Sequence, residues 1–403
     1  MMIVALAALS FSIAYTIFAA TRLILFRRHS KKTAAIPAVT IAKPLCGLEA
    51  DLEENLRSFC QQDYPAYEVI FAVASEDDPA AAAARRVMRS GIDTLVIAPP
   101  GAANQKVNSL IAIERRAKYP ILVVADSDIR VQRDYLRMIV ASFADATVGG
   151  VTAVYAGRPI PTAAARLGAM YINQAFLPSV LVGTAIQRLD FFLGATMAVR
   201  RDALQAIGGF EALAHDLADD YRLGQRLRKR GYEIRLADVI VETTVSERTI
   251  VDLLRREIRW SRTIRTVRPV GHFLTVLTMP LVWAVIVLIA GRFSPLTCIV
   301  AAAALAVRIG MHLVAPLSPE ILRPAQRGEE PALSDADPER SEGEAESKGG
   351  PKGRMRGVSF IWIPIRDALT FFVYCASFFG RTVVWRERRF DVSADGQLHA
   401  AKS

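Results

Sequence analysis

Two carboxylates at the end of an apolar run constrain the fold of this chain more than any other sequence feature. The run Ile-Leu-Val-Val-Ala occupies residues 121–125, and Asp126 and Asp128 follow it. Such a run is typical of a strand buried on both faces of a parallel sheet, where ligands bind at the carboxyl ends of the strands. Residues i and i+2 of an extended chain point to the same side, so both carboxylates can reach one hard cation. The alternative is a solvated turn after the strand.

Predicted strands and helices alternate around this run. A second strand also ends in acid, at Asp77 and Asp78, so two acidic clusters are expected on one rim. The alternation predicts an α/β fold with a doubly wound, mostly parallel sheet. The predicted strands comprise residues 35–44, 67–74, 94–98, 151–155 and 193–199, and the predicted helices comprise residues 48–62, 80–89 and 104–116.

The rim is suited to a nucleotide, yet the glycine-rich nucleotide motifs are absent from the sequence. Neither Gly-x-Gly-x-x-Gly nor Gly-Lys-Ser/Thr occurs in it. This argues against dinucleotide enzymes and P-loop ATPases, whose glycines let the backbone approach the phosphates. A nucleotide held by a metal and carboxylates indicates nucleotide-sugar chemistry.

A third acidic cluster, Asp219 and Asp220, opens a predicted helix that runs to Lys229. Carboxylates at a helix start can serve only as caps, worth about 1 kcal/mol. Here there are two acids where one cap suffices, so a second role is expected.

The stretch 249–268 has arginines at close to a three-residue period, with Trp260 among them. A solvated basic face is one interpretation. Because an apolar run follows immediately, a helix lying at the level of the lipid headgroups is favoured. The arginines are those at positions 255, 256, 259, 262, 265 and 268.

Long apolar runs predict membrane segments. Hydrophobic residues make up 52% of the chain, and the mean hydropathy is +0.25. Residues 1–26 are expected to form a transmembrane anchor, because about twenty apolar residues span a bilayer and basic residues follow on the cytoplasmic side. The missing positive charge before the apolar core argues against a signal peptide.

The remaining apolar runs lie mainly after the arginine-rich stretch. Residues 272–315 are expected to form a transmembrane hairpin, residues 317–356 a disordered loop, and residues 358–390 a re-entrant or transmembrane segment with a cytoplasmic C-terminus. Residues 166–183 form either a core helix interrupted at Pro178 or an element that enters the membrane face.

The net charge indicates which partners to expect, and the cysteines indicate the compartment. The net charge is +10, but the basic residues cluster beside the membrane segments, so anionic lipid headgroups are expected rather than nucleic acid. The four cysteines show no metal-ligand spacing and are expected to be free thiols in a reducing compartment.

The three acidic clusters, followed by Arg256-x-x-Arg259-Trp260, resemble the D, D, D, (Q/R)xxRW pattern of glycosyltransferase families 2 and 21. The flanking sequences resemble the ceramide glucosyltransferase branch, and within it most resemble the bacterial hopanoid-biosynthesis-associated glycosyltransferase. The resemblance covers about residues 1–315 and returns near residues 366–390. Its segments are residues 43–47, 63–65, 77–80, 106–108, 126–131, 176–180, 217–221 and 259–265.

The resemblance implies a GT-A catalytic domain at residues 35–268, a UDP-sugar donor and inversion at the anomeric carbon. Asp126 and Asp128 would bind Mg²⁺ or Mn²⁺, which offsets charge on the leaving diphosphate. Asp220 is the expected base for the acceptor hydroxyl, with Asp219 as the reserve. Donor contacts are expected from Lys43, Asp77, Asp78, Lys106, Asn108, Asp126, Arg256, Arg259 and Trp260.

The expected function is transfer of a single sugar to a lipid hydroxyl at the bacterial inner membrane, by a multi-pass protein whose catalytic domain is cytoplasmic. The resemblance favours N-acetylglucosamine onto a hopanoid polyol such as bacteriohopanetetrol, with glucose onto ceramide as the close second. One alternative is a processive polysaccharide synthase, which needs a helical channel through the bilayer. Another is an inactive membrane scaffold, which the retained acidic clusters oppose because unpaired buried carboxylates are destabilising.

Overall fold

A computed structural model describes most of the chain. It covers residues 2–26, 36–101, 104–216, 218–315, 360–380, 382–385, 388–392 and 398–400. The predicted disordered loop, residues 317–356, lies outside these ranges, as do the basic residues 27, 28, 31 and 32 that follow the first apolar run.

Eight strands form one mixed sheet at the centre of the molecule. They are β1 (Val39–Pro44), β2 (Tyr67–Val73), β3 (Thr94–Ile97), β4 (Ile121–Val124), β5 (Ile129–Arg130), β6 (Val148–Pro159), β7 (Met197–Arg200) and β8 (Glu233–Val245). Their order in the sheet is β3-β2-β1-β4-β7-β6-β8-β5. The strands β1 to β4 pair in parallel, as do β6 and β8, whereas β7 and β5 run antiparallel to their neighbours.

The predicted α/β class is confirmed, since β1 to β4 are parallel and helices connect them within the mixed sheet. The antiparallel insertion of β7 between β4 and β6 is not visible in the sequence, because residue composition does not specify the direction of pairing. The long strand β8 is also missed by the sequence pattern. Its pairing along β6 brings Thr243 and Thr244 to the predicted metal rim.

Helices cover both faces of the sheet and continue into an apolar bundle. Two buried clusters fill the space between sheet and helices, one around Phe59, Phe71 and Tyr135 and the other around Leu110 and Phe210. The helices are α1 (Met2–Phe26), α2 (Leu52–Cys60), α3 (Pro79–Val87), α4 (Gln105–Arg116), α5 (Tyr135–Ala141), α6 (Ala163–Tyr171), α7 (Leu177–Ile186), α8 (Arg201–Ala206), α9 (Asp219–Lys229), α10 (Ile250–Val267), α11 (Pro269–Leu274), α12 (Pro280–Ala290), α13 (Pro295–Val314) and α14 (Trp362–Ser377).

Three helical segments in the described part are long and apolar enough to cross a membrane. They are Met2–Phe26, Ala163–Ile186 and Pro295–Val314. The pair Pro269–Thr278 and Pro280–Ala290 would add a fourth segment, bent by 61°. The first and third segments pack together with α12 around Leu9.

The helix at residues 163–186 continues past Pro178, but its regular α-helical pattern is interrupted just before this proline. A π-helical turn, Ile172–Phe176, precedes the proline and joins α6 to α7. A proline in a regular α-helix clashes with the carbonyl four residues earlier, and a π turn is one way for the chain to relieve that clash. Asn173 in this turn bonds both main-chain groups of Gly157 on β6, which fixes the helix to the sheet.

Two buried ion pairs hold α14 against the rest of the molecule. Arg366 donates two hydrogen bonds to Glu257 of α10, at 2.9 and 2.7 Å. Asp367 accepts from Arg308 of α13, at 2.8 to 3.1 Å. The charges that interrupt this apolar run are therefore internal contacts. Beyond α14, the strands β9 (Thr382–Trp385), β10 (Arg388–Val392) and β11 (Leu398–Ala400) form a small antiparallel sheet.

Candidate active site

The second and third acidic clusters meet at the carboxyl edge of β4. Asp126 and Asp128 follow the strand, and Asp220 lies in the first turn of α9. A Cβ atom placed on Gly194 would lie 3.3 Å from Oδ2 of Asp220 and 3.7 Å from Oδ2 of Asp126. Gly194 thus keeps a narrow gap open between two carboxylates that are far apart in sequence.

Lys106 connects the same two clusters. Its Nζ lies 2.7 Å from Oδ1 of Asp126 and 3.6 Å from Oδ2 of Asp219. Burial acts to lower the pKa of Lys106, but the carboxylates of Asp126 and Asp219 outweigh it and the pKa is raised. The ammonium group is therefore a fixed positive charge at the rim. Asn104, the N-cap of α4, accepts from the main-chain N–H of Lys106 and orients the start of the helix.

Lys43 lies beneath the rim and not at the cavity surface. Its side chain is fully buried, donates to the main-chain oxygen of Asp126 and lies 4.0 Å from the centre of the Phe59 ring. Burial lowers the pKa of Lys43 to about 7, although Asp126 and Asp128 act in the opposite direction. Its expected contact with the donor stays a prediction, and the contact in the structure is to the backbone of the metal motif.

Negative charge at the rim exceeds what the two lysines compensate. Burial, then the carboxylates of Asp126 and Glu49, raise the pKa of Asp128 to about 7. Burial, then the carboxylate of Asp219, raise the pKa of Asp220 to about 7. A cation bound here would relieve this repulsion.

The oxygen donors at the rim fit such a cation. Asp126 and Asp128 supply carboxylates, and Oδ2 of Asp128 accepts from Thr243 at 2.8 Å. Within the described residues there is no group of three His, Cys, Asp or Glu side chains that could hold a metal. Mg²⁺ commonly binds through one or two carboxylates plus substrate phosphates, so a donor diphosphate would have to complete the site.

The first acidic cluster and Asn108 lie apart from this rim. Asp77 is exposed, and Asp78 caps α3 by accepting from Ala80 N–H while it also accepts from Gly47 N–H, both at 2.9 Å. Asn108 donates to the carbonyl of Ala98 at 3.2 Å. None of the three is among the residues that line the cavity, so their contacts with the donor stay predictions.

The motif residues of α10 do line the cavity. Arg256 lies with its guanidinium 4.9 Å from the centre of the Trp260 ring and pairs with Glu247 at 2.5 Å. Arg259 faces the same cavity. The placement brings the Arg/Trp motif to the site that holds the second and third clusters.

The other arginines of α10 make contacts within the protein. Arg262 and Arg265 donate to the carbonyls of Phe379 and Gly380 after α14, at 2.6 and 2.9 Å. Arg268 pairs with Asp190. Their predicted contact with lipid headgroups stays a prediction.

One cavity of about 1090 Å³ joins the acidic rim to the apolar helices. Lys106, Asp126 and Asp220 line its polar end. Its other end is lined by residues of α1, α7 and α13, namely Tyr15, Thr16, Ala19, Val180, Gly183, Arg308 and Met311. The acidic rim and the mostly apolar wall formed by these helices are thus continuous in one cavity.

Three site residues are not identified by the sequence motifs. Tyr155 of β6 lines the cavity and packs on Phe176, with ring centres 4.8 Å apart. Glu247 pairs with Arg256, and Gly194 separates the carboxylates. Only the placement of Glu247, an acid just before an arginine-rich helix, gave any indication in the sequence.

A family model described as glycosyl transferase family 21 matches residues 2–398. Ceramide glucosyltransferase 1 of Caenorhabditis elegans is 27% identical over 252 residues, which are 59% of this chain and 52% of that protein. Ceramide glucosyltransferase 3 of the same organism is 27% identical over 244 residues, 58% of this chain and 52% of that protein. The chain therefore spans about half the length of these curated relatives.

Two solved structures are similar in part. A mannosyltransferase from Pyrobaculum calidifontis, in complex with GDP-Man and Mn²⁺, gives a TM-score of 0.49 at 21% identity over 77% of this chain and 87% of that one. Glucosyl-3-phosphoglycerate synthase from Mycobacterium tuberculosis, in complex with Mg²⁺ and UDP, gives a TM-score of 0.34 at 16% identity over 57% of this chain and 78% of that one.

Proposed function

The chain belongs to glycosyl transferase family 21, and from this premise we propose that it moves one hexose from a UDP-sugar to a hydroxyl group of a membrane lipid, with inversion at the anomeric carbon. The names of the curated relatives support glucose as the sugar and ceramide as the acceptor. N-acetylglucosamine and a hopanoid polyol are the alternative pair that the sequence motifs favour.

The observation that carries the proposal is the single cavity between the acidic rim and the apolar helices. A water-soluble nucleotide-sugar needs the polar end, where Lys106 and the carboxylates lie. A lipid acceptor needs a path from the bilayer, which α1, α7 and α13 line. Both requirements are met within one site.

In the proposed mechanism, Asp126 and Asp128 would hold Mg²⁺ or Mn²⁺, which would supply Lewis-acid stabilisation of the departing diphosphate. Lys106 adds a positive charge beside the same phosphates. Asp220 accepts the proton of the lipid hydroxyl while the oxygen of that hydroxyl forms a bond to the anomeric carbon. The bond from that carbon to the diphosphate breaks, and UDP leaves with the bonding electrons.

Asp220 is preferred to Asp219 as the base on two grounds. Oδ2 of Asp220 faces the gap at Gly194 that also borders Asp126, whereas Oδ2 of Asp219 is directed toward Lys106. A base with a pKa of about 7 also matches proton transfer near neutral pH. Asp219 instead lies beside Lys106, with 3.6 Å between its Oδ2 and Nζ of the lysine.

We also propose the arrangement in the membrane. α1 and α13 anchor the protein, and residues 35–268 form the catalytic domain on the cytoplasmic side of a bacterial inner membrane. The direction rests on the arginines and lysines that follow α1 in the sequence.

Membranes containing the protein, incubated separately with radiolabelled UDP-glucose and UDP-N-acetylglucosamine, test the function. Each donor is offered with ceramide or with bacteriohopanetetrol. A lipid-soluble product of one added hexose is the expected result, and the productive pair identifies donor and acceptor. A long labelled polymer would favour a polysaccharide synthase, and no labelled lipid with any pair would contradict the proposal.

A further inference from the structure

Glu247 and Arg256 form a buried ion pair in the cavity wall that the proposed mechanism does not use. Oε1 of Glu247 lies 2.5 Å from Nη1 of Arg256, and the two side chains are 11% and 16% exposed. Both residues line the cavity. Burying two charges is costly even when they are paired, so such a pair in a cavity wall calls for a functional explanation.

Both side chains have polar atoms that form no hydrogen bond with the described part of the protein. Within the described residues, Nε and Nη2 of Arg256 and Oε2 of Glu247 are buried without a hydrogen-bond partner. Buried donors and acceptors are almost always paired, with protein, water or ligand. The pair therefore offers a ligand two hydrogen-bond donors, on Arg256, and one acceptor, on Glu247.

The charge of this site argues against a diphosphate as its ligand. Glu247 neutralises Arg256, so the two together attract a dianion less than a lone guanidinium does. The ring of Trp260, 4.9 Å from the guanidinium, adds an apolar surface. A neutral group that both donates and accepts hydrogen bonds, next to apolar material, matches this wall better.

The pair also shares its cavity with the proposed base. Glu247, Arg256 and Asp220 all line that cavity, and so does Tyr155 of β6. A group held by Glu247 and Arg256 therefore lies in the same cavity as Asp220, and this cavity reaches the apolar helices.

We propose that Glu247 and Arg256 bind the neutral polar head of the lipid acceptor and determine which head the enzyme accepts. A hydroxyl group of the head donates to Oε2 of Glu247, and an amide or hydroxyl oxygen accepts from Arg256. This inference rests on the proposed function, and it reassigns Arg256 from the donor to the acceptor.

The Glu247→Gln variant tests the assignment in the full-length protein, with UDP-glucose and a short-chain ceramide as probes. Loss of one charged hydrogen-bond acceptor is expected to raise the acceptor KM about tenfold, while the donor KM changes less than about twofold. The matched control is Asp252→Asn, an acid-to-amide change on α10 outside the cavity, which is expected to leave both KM values unchanged. A rise in the donor KM alone, or no change in either KM, would overturn the inference.

A second variant moves the guanidinium of Arg256 without removing a charge. A Cβ atom on Gly168 would lie 2.6 Å from Nη2 of Arg256 and 3.0 and 3.1 Å from methyl groups of Val245 and Leu253, so Gly168→Ala displaces the guanidinium and presses more lightly on the two apolar side chains. If Glu247→Gln does not fold, Gly168→Ala is expected to show the same selective rise in acceptor KM. A donor-selective effect would contradict the assignment. Wild-type protein that transfers no hexose to any lipid would instead refute the proposed function itself.

Discussion

At the scale of single residues, the proposed proton transfer to Asp220 rests on the gap at Gly194, which Oδ2 of Asp220 borders. Asp220→Asn keeps the shape of the side chain and removes its basicity. We expect transfer to fall by about 10²- to 10⁴-fold, the usual contribution of general base catalysis, with UDP binding unchanged. Single-turnover transfer and UDP titration measure the two effects.

Asp202→Asn, a change to an exposed acid on α8, serves as the control for Asp220→Asn. Unchanged turnover in Asp220→Asn would remove Asp220 from the mechanism. Loss of turnover only in Asp219→Asn would move the role of base to Asp219.

The raised pKa of Asp220 also predicts the pH dependence of the reaction. The base acts only when deprotonated, and burial and Asp219 raise its pKa to about 7. We expect kcat/KM to increase as the pH rises from 6 to 8 and to level off above that range. The groups that face Asp220 are Lys106, Asp219 and Asp126. A profile that is flat between pH 6 and 8 would contradict this assignment.

At the scale of elements, α14 determines the position of α10, the helix that carries the Arg/Trp motif. Arg366 and Glu257 are 1% and 2% exposed, and Nη1 and Nη2 of Arg366 donate to the two carboxylate oxygens of Glu257. Removing one partner of a buried pair costs about 3–5 kcal/mol, because the other charge stays buried alone. We expect Arg366→Met to lower the unfolding temperature in detergent and to reduce transfer.

The double variant Arg366→Met/Glu257→Gln should recover part of the stability lost in Arg366→Met, since no lone charge remains. Arg265→Gln, which removes an exposed hydrogen bond to Gly380 from the same helix, should change the unfolding temperature little. Equal losses in Arg366→Met and Arg265→Gln would show that the buried pair does not hold α10.

The difference between local and long-range contacts explains which elements the sequence predicts. The strand before Asp126 and the starts of α3 and α4 depend on neighbouring residues, and the predicted helices 80–89 and 104–116 begin within one residue of the observed ones. The pair Arg366–Glu257 joins residues 109 positions apart, and the antiparallel pairing of β7 depends on β4 and β6. Charges in an apolar run indicate only that a partner is needed, not which residue supplies it.

At the scale of the whole molecule, the acidic rim and the apolar helices form one unit, because α1 contributes directly to the cavity. Sequence reasoning treats residues 1–26 as an anchor that only holds the domain at the membrane. In the structure, Tyr15, Thr16 and Ala19 line the cavity that also contains Asp126 and Asp220. The spacing of residues along the chain gives no indication of this contact, because α1 and Asp220 are about 200 residues apart in the sequence.

Ala19 tests whether the apolar end of the cavity serves the acceptor. It is buried and packs near Val182 and Met311. Ala19→Phe fills part of the channel, and overpacking costs about 1–3 kcal/mol, so we expect the acceptor KM to rise about tenfold or more. UDP binding, at the polar end, should be unchanged. Ile17→Phe, on the exposed face of α1, is the control and should leave both unchanged. If Ala19→Phe weakens UDP binding and leaves the acceptor KM unaltered, the lipid enters by another route.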